Sequence, residues 1–246
     1  MFWIFKKSKK KLFFTTDVHS HLVPGVDDGS GSITESISLM GSLNDMGVDH
    51  FIITPHVTAR RFENDATTIA EPLAKLRSAV AESGMCVEID QSAEYRIDDF
   101  YEEKVLKPRN FMPMPNNHIL LESNWQQEPL NLDGIVYSTS TCGYQVIFAH
   151  PERYRYLNER YERYEHLHNR NLMFQVNLLS FSGFYGKTAK DTAFWLLERG
   201  MVDFVGTDIH NHKFLRAIDA FLKSKDYKRV LKLLDRSDIK NDTAFV

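Results

Sequence analysis

Cysteine is nearly missing: the 246 residues include two, Cys86 and Cys142. So low a count excludes a disulfide framework and fits a reducing compartment. Neither sign of charge dominates. Lys and Arg number 30 against 33 Asp and Glu, and the net charge of −3 speaks against a dedicated nucleic-acid binder, which is usually strongly basic. No apolar run approaches the roughly 18 to 20 residues needed to span a bilayer. Low-complexity tracts, dividing linkers and internal repeats are lacking too. What is left is an ordinary globular composition, 43% apolar and 26% charged, in a chain long enough to bury a full core.

Residues 1–11 stand apart. Met1-Phe2-Trp3-Ile4-Phe5 precedes Lys6, Lys7, Lys9, Lys10 and Lys11. A secretory signal carries its charges before a longer apolar region, and here the order is reversed with no cleavage site after it. The segment reads as a basic, aromatic extension ahead of one domain over 12–246. Two readings of it stay open: a solvated terminus, or a weak membrane-surface contact with aromatics among headgroups and lysines on anionic lipid. The expected location is cytoplasmic, with the second reading adding the inner face of the membrane.

Beyond it, short apolar runs alternate with amphipathic stretches. Strands are expected at 11–16, 50–54, 86–89, 119–122, 145–149, 173–176 and 204–206. Helices are expected at 32–46, 68–83, 98–105, 133–139, 159–170, 188–198, 215–224 and 227–234. Gly47, Gly84, Gly143 and Gly200 follow helical patterns as helix stops do. The Pro-rich run 108–115 reads as an extended loop. Such alternation predicts a parallel sheet with right-handed crossovers, closed as a distorted (β/α)7 TIM-like barrel. In such barrels the chemistry sits where strands end.

What stands at those ends is unusual. His19 and His21 follow the first run, two apart, so strand alternation would turn both imidazoles to one face with Asp17 behind them. Asp27 and Asp28 come next in the loop. The later ends deliver His56, Glu94 (with Arg96 beside it), Glu122, His150 and finally Asp208 with His210. Each has a bland reading alone: a capped core histidine, a strand-end carboxylate, a helix N-cap. Together they place possible metal ligands at one mouth, and charged groups directly after buried runs are unfavourable unless paired or metal-bound. His50, His118, His166, His168 and His212 fall outside the pattern and read as structural or solvated.

Asp17-x-His19-x-His21, Thr54-Pro55-His56, Glu94, His150-Pro151-Glu152-Arg153 and Asp208-x-His210 resemble the polymerase and histidinol phosphatase (PHP) family. The stretch from Asp17 to Gly29 is more specifically similar to its bacterial tyrosine-protein phosphatase branch, whose members act beside the tyrosine autokinases of capsular and exopolysaccharide synthesis. The resemblance runs from about Asp17 to Arg216. It implies a PHP-type barrel with three divalent metal ions, manganese first, iron or zinc otherwise. Carried over by motif, His19, His21, Glu94 and Asp208 hold one ion, and Glu94 bridges to a second completed by Glu122 and His150. Asp28, His56 and His210 hold the third. The expected partner is the phosphotyrosine-bearing tail of an autokinase. Oligomeric state is not indicated.

Clustered ions lower the pKa of a bound water and neutralise phosphoryl oxygens, so the expected reaction is phosphotyrosine hydrolysis by metal-bound hydroxide. Arg153 and Arg216 are candidates to grip the phosphate through guanidinium forks. Asp27, Asp28 or a histidine such as His210 would serve the leaving oxygen. The cysteine route needs Cys-x5-Arg, but position six after Cys86 is Ser92 and after Cys142 is Phe148. The rival readings are a PHP phosphoesterase for a small ester such as histidinol phosphate, and a catalytically silent partner protein. An amidohydrolase would need a carboxylated lysine or its equivalent where Glu122 stands. Residues 57–62, Ser92-Ala93 and the tail after His210 depart from the family pattern, which bears on substrate preference.

Overall fold

A computed structural model describes residues 10–99, 101 and 111–245. Nine strands are present among them: β1 (Thr16–Ser20), β2 (His50–Ile53), β3 (His56–Val57), β4 (Glu88–Gln91), β5 (Glu94–Arg96), β6 (His118–Glu122), β7 (Gln145–Ala149), β8 (Met173–Asn177) and β9 (Phe204–Gly206). All ladders are parallel, in the orders β1-β2-β4 and β3-β5-β6-β7-β8-β9.

These two sheets are arcs of one ring. β2 and β3 are a single stave broken at Thr54-Pro55, where proline has no N–H to give. β4 and β5 break opposite it, and Ser92 N donates to Ile53 O while Glu94 N donates to Pro55 O, carrying the ladder across. The other seam closes through His21 N to Ile209 O at 3.0 Å and Asp208 N to His19 O at 2.8 Å. Seven staves result, as the alternation predicts.

Inside the ring Val18, Ile52, Met114, Leu120, Ile147, Ala149 and Phe204 make a small apolar plug, with Ala244 and Phe245 packed against it. Burying each of the large ones contributes roughly 1.5–3 kcal/mol. Seven helices surround the barrel among the described residues: α1 (Ile33–Asp45), α2 (Ala66–Glu82), α3 (Leu132–Thr141), α4 (Tyr161–His168), α5 (Lys187–Glu198), α6 (His212–Leu222) and α7 (Lys225–Leu233). Their apolar stripes and the outward faces of the strands make the larger core. Several starts are capped: Ser32 accepts from Glu35 N, Asp65 forms a capping box with Thr68, and Asn211 accepts from Lys213 N.

The element boundaries depart from expectation in places. The first strand is Thr16–Ser20 rather than 11–16. Leu12 and Phe14 pack into the outer core as a lead-in, while the polar Thr16–Ser20 segment pairs and is wholly buried. The third stave begins at Glu88 instead of residue 86, since its register is set by His50 opposite Glu88. α4 is shorter than 159–170 because Glu159 and Asn171 adopt left-handed backbone, φ +61° each. α6 starts at His212 rather than 215, where Asn211 caps it. The helix expected at 98–105 falls largely outside the described residues, as does nearly all of the basic extension. Of the loop expected at 108–115, residues 111–113 are irregular, Met114 bridges to His118 and a short helical turn opens at Pro115. No helix among the described residues is long and apolar enough to cross a membrane.

Candidate metal centre and active site

The C-terminal mouth of the ring gathers nine expected side chains: His19, His21, Asp28, His56, Glu94, Glu122, His150, Asp208 and His210. β1 delivers the first two in an unforeseen way. Between the pairs Asp17–Phe51 and Ser20–Ile53, Val18 and His19 together face Ile52 alone. This is a bulge, which puts two consecutive side chains on one side and re-aims them. Val18 joins the interior plug and His19 turns into the mouth. His21 lies just past the strand, and the Nε2 atoms of the two histidines come within 3.2 Å.

Their tautomers are set from behind. His19 Nδ1 donates to Gln175 Oε1 at 2.8 Å, and His21 Nδ1 donates to Asp27 Oδ2 at 2.8 Å. Both partners accept only, so both Nε2 lone pairs face the mouth and each other. Such a pair is repulsive unless a proton or cation stands between. Two carboxylates complete the cluster: Glu94 Oε2 lies 3.3 and 3.5 Å from the two Nε2 atoms, and Asp208 Oδ1 lies 3.5 and 3.4 Å from them.

Glu94 is the hub. Its Oε2 lies 3.0 Å from His56 Nδ1, and its Oε1 lies 2.9 Å from His150 Nε2. Glu122 Oε1 sits 3.6 Å from His56 Nδ1 and 3.3 Å from an Arg96 guanidinium nitrogen. Across the mouth, Asp28 Oδ1 is 3.4 Å from His56 Nε2 and 3.7 Å from His210 Nε2. Three overlapping groups could hold a metal ion: His19 with His21 and Glu94, His56 with Glu94 and Glu122, and His21 with His56 and His210.

The backbone is forced at two of these points. His150 and Asp208 have φ of +36° and +50°, a left-handed conformation that costs a non-glycine residue about 1–2 kcal/mol. His150 stands directly beyond β7 and Asp208 two residues past β9, and each bends sharply into the mouth. Gly206, at the end of β9, is required for a different reason. A Cβ there would lie 2.6 Å from His19 Cβ and 2.8 Å from Gln175 Nε2.

Electrostatics divide the groups. Burial opposes charge on His19 and His21, yet Glu94 and Asp208 raise the first, and Asp27, Asp208 and Glu94 raise the second well above its ordinary value. Burial would raise Glu94 and Asp208, but the surrounding imidazoles hold both well below the usual carboxylate range. Glu122 is pushed up to about 7 by burial and by Glu94 beside it. Burial and Arg153 hold His150 down to about 4; burial and His21 do the same to His210, also to about 4.

The phosphate-gripping candidates separate. Arg153 lines a cavity of about 470 Å³ at this mouth. Its guanidinium lies between the Trp125 and Tyr185 rings at 4.5 and 4.0 Å and bonds Asp208 at 2.9 Å. Arg96 and Arg61 also line this cavity. Arg216 does not; it is exposed on α6. Asp27, weighed as a proton donor, is instead a buried carboxylate held below its ordinary range by His21 and by the Gly29 and His56 amides, despite the opposing effect of burial. Sequence reasoning gave the sixth stave no part in the site: Gln175 orients His19, and Asn177 Nδ2 donates to Asp208 Oδ2 at 2.7 Å. Their amides carried no ligand signal. His50, His118, His166 and His168 lie elsewhere, bonded to Asp90, Pro115 O, Asp133 and Asp203.

Comparison with known proteins follows the same line. A sequence profile described as "Capsular polysaccharide synthesis, CpsB/CapC" matches residues 15–220. The tyrosine-protein phosphatase YwqE of Bacillus subtilis is 27% identical over 197 residues, 80% of this chain and 78% of that protein. The tyrosine-protein phosphatase CpsB of Streptococcus agalactiae is 29% identical over 203 residues, 79% of this chain and 82% of that one. A chain from the crystal structures of YwqE from Bacillus subtilis and CpsB from Streptococcus pneumoniae, described as metal-dependent tyrosine phosphatases, has the same fold. Its TM-score is 0.74 at 24% identity, covering 91% of this chain and 96% of that one.

Proposed function

The chain belongs to the CpsB/CapC family of capsular polysaccharide synthesis, and from that premise we propose that it is a metal-dependent protein-tyrosine phosphatase acting on a tyrosine autokinase. One observation carries this reading: seven imidazole and carboxylate side chains line a single cavity beside the half-buried Arg153 guanidinium, with His19 and His21 within 3.5 Å of Glu94 and Asp208 beneath them.

The donor set suits divalent ions. His56 Nδ1, Glu94 Oε2 and His150 Nδ1 are buried without a hydrogen-bond partner, and mixed imidazole and carboxylate ligands favour manganese, iron or zinc over calcium. We assign His19, His21, Glu94 and Asp208 to one ion, Glu94, Glu122 and His150 to a second, and Asp28, His56 and His210 to a third, with manganese the expected metal. Bound there, such ions supply an acidified water and neutralise phosphoryl charge.

The chain's own groups do the rest. Arg153 presents a guanidinium already fixed by two rings and Asp208, so it grips a phosphoryl oxygen with little loss of side-chain freedom. Gln175 and Asp27 keep the His19 and His21 lone pairs aimed inward. Burial and His21 disfavour protonation of the His210 imidazole, which lines the cavity with Asp28, and the two are the groups proposed to face the leaving tyrosine oxygen. Cys86 and Cys142 are both exposed and neither lines the cavity, so no thiol is placed for attack.

The test is direct. With added manganese the protein hydrolyses p-nitrophenyl phosphate and a phosphotyrosine peptide, EDTA abolishes both, and the Cys86→Ser, Cys142→Ser double variant keeps wild-type rates. Activity that survives EDTA, or is lost with the cysteines, refutes the proposal.

A further inference from the structure

Two phenyl rings at the mouth are left unused by the chemistry above. Phe62 lies face to face with His56, centroids 5.6 Å apart and planes 8° apart. Phe214 stacks on His210 at 5.2 Å and 28°. Both line the cavity, and both remain only partly buried.

Their placement is built. Thr58 and Phe62 exchange backbone hydrogen bonds of 2.8 and 2.9 Å, closing a tight turn after β3 with Arg60 in the left-handed region at φ +61°. Ala59 N donates to Asp98 Oδ2 at 2.9 Å and ties that turn to the next loop. Arg61 caps the arrangement, its guanidinium 4.8 Å over the Phe62 ring and 3.1 Å from Asp28. Phe214 sits in the first turn of α6, behind the Asn211 cap. Much of this lies in 57–62 and the tail after His210, the segments that depart from the family pattern.

We propose that Phe62 and Phe214 form an aryl-binding subsite that selects phosphate esters of aromatic alcohols over those of aliphatic alcohols. This rests on the phosphatase reading above and adds the residues that choose the leaving group. A phosphate drawn toward the imidazoles and Arg153 leaves its organic group at the rim. There an aromatic ring meets the ring edges that Phe62 and Phe214 leave exposed, their stacked faces lying on His56 and His210, whereas the short, hydrated arm of a serine ester makes no such contact. A ring–ring contact is worth roughly twofold to tenfold in affinity.

Calorimetry on the manganese-loaded protein tests this without turnover, using phenylphosphonate and methylphosphonate. Wild type binds the phenyl compound more tightly. Phe62→Leu and Phe214→Leu each weaken it roughly tenfold and leave methylphosphonate within twofold. In parallel, KM for a phosphotyrosine peptide rises while kcat/KM for a phosphoserine peptide stays put. Equal losses for both phosphonates would mean that the rings merely brace His56 and His210, and no loss would mean that they do not touch the ligand; either overturns the subsite. A wild type that binds neither phosphonate and hydrolyses neither peptide overturns the phosphatase reading itself.

Discussion

Asp27 bonds no reacting group, yet its replacement by asparagine is predicted to cripple the centre. Its carboxylate accepts three hydrogen bonds: His21 Nδ1 at 2.8 Å and His56 N at 3.0 Å on Oδ2, and Gly29 N at 2.9 Å on Oδ1. All three partners are donors. An asparagine of the same shape must turn its NH2 toward one side or the other, and on either side a donor then faces a donor. At least one bond to a charged acceptor is lost, about 1.5–3 kcal/mol. If the NH2 faces His21, the imidazole is pushed to the tautomer whose Nε2 carries the proton and cannot ligate. Either way the negative charge behind His21 is gone. The expected result is a 10- to 100-fold fall in metal affinity, with turnover recovering at high manganese. Competition against a chromophoric chelator measures the affinity, and a manganese titration of p-nitrophenyl phosphate hydrolysis measures the recovery. A variant that binds manganese within twofold of wild type would refute the orienting role.

Gly206→Ala drives a methyl against His19 and the Gln175 amide, so it is expected to cost about 1–3 kcal/mol by overpacking and to lower metal affinity and turnover together; unchanged melting and titration curves would contradict this. At the opposite end, Asp203 accepts from Phe174 N, His168 and Lys240, and these partners outweigh burial and lower its pKa below 3.8. A depressed carboxyl stabilises the fold fully above its unfolded value and loses that contribution as pH falls through the folded one. Asp203→Asn should therefore lower the unfolding free energy from urea titration at pH 7 by about 1–3 kcal/mol, with the two proteins converging in acid; a gap constant across pH would exclude the charge as its cause.

The strand ends were readable because a buried parallel run tolerates His, Asp or Glu at its end only for a reason: Glu122 ends β6, and His150 and Asp208 lie just past β7 and β9, while His56 and Glu94 open the short continuations β3 and β5. The frame of seven staves was readable from the alternation alone. The bulge at Val18-His19 was not, since nothing in Asp17–His21 distinguishes a strand with an extra residue from a regular one. Gln175 and Asn177 were invisible for another reason: an amide that orients a ligand looks like any strand amide until its partner is known. Arg216 shows the converse failure. An arginine a few residues past a site motif can face outward on a helix, as this one does on α6, and spacing does not reveal which face it takes.

The floor of the barrel has a consequence for how the molecule comes to exist. Asn241 holds Val205 N, Val205 O and Thr16 O, and Asp242 holds Thr15 N and Thr16 N. Phe245 then packs beneath the interior plug. Asn241 and Thr16 are 225 residues apart along the chain. These clasping residues are synthesised after every strand they hold, so the first stave must wait on the ribosome for its last partners. Closure of the ring is thus a late, long-range event. Folding should be slow relative to chains of similar length with local contacts, and the His19–His21 pair stays unassembled until the residues around Asn241 have been made.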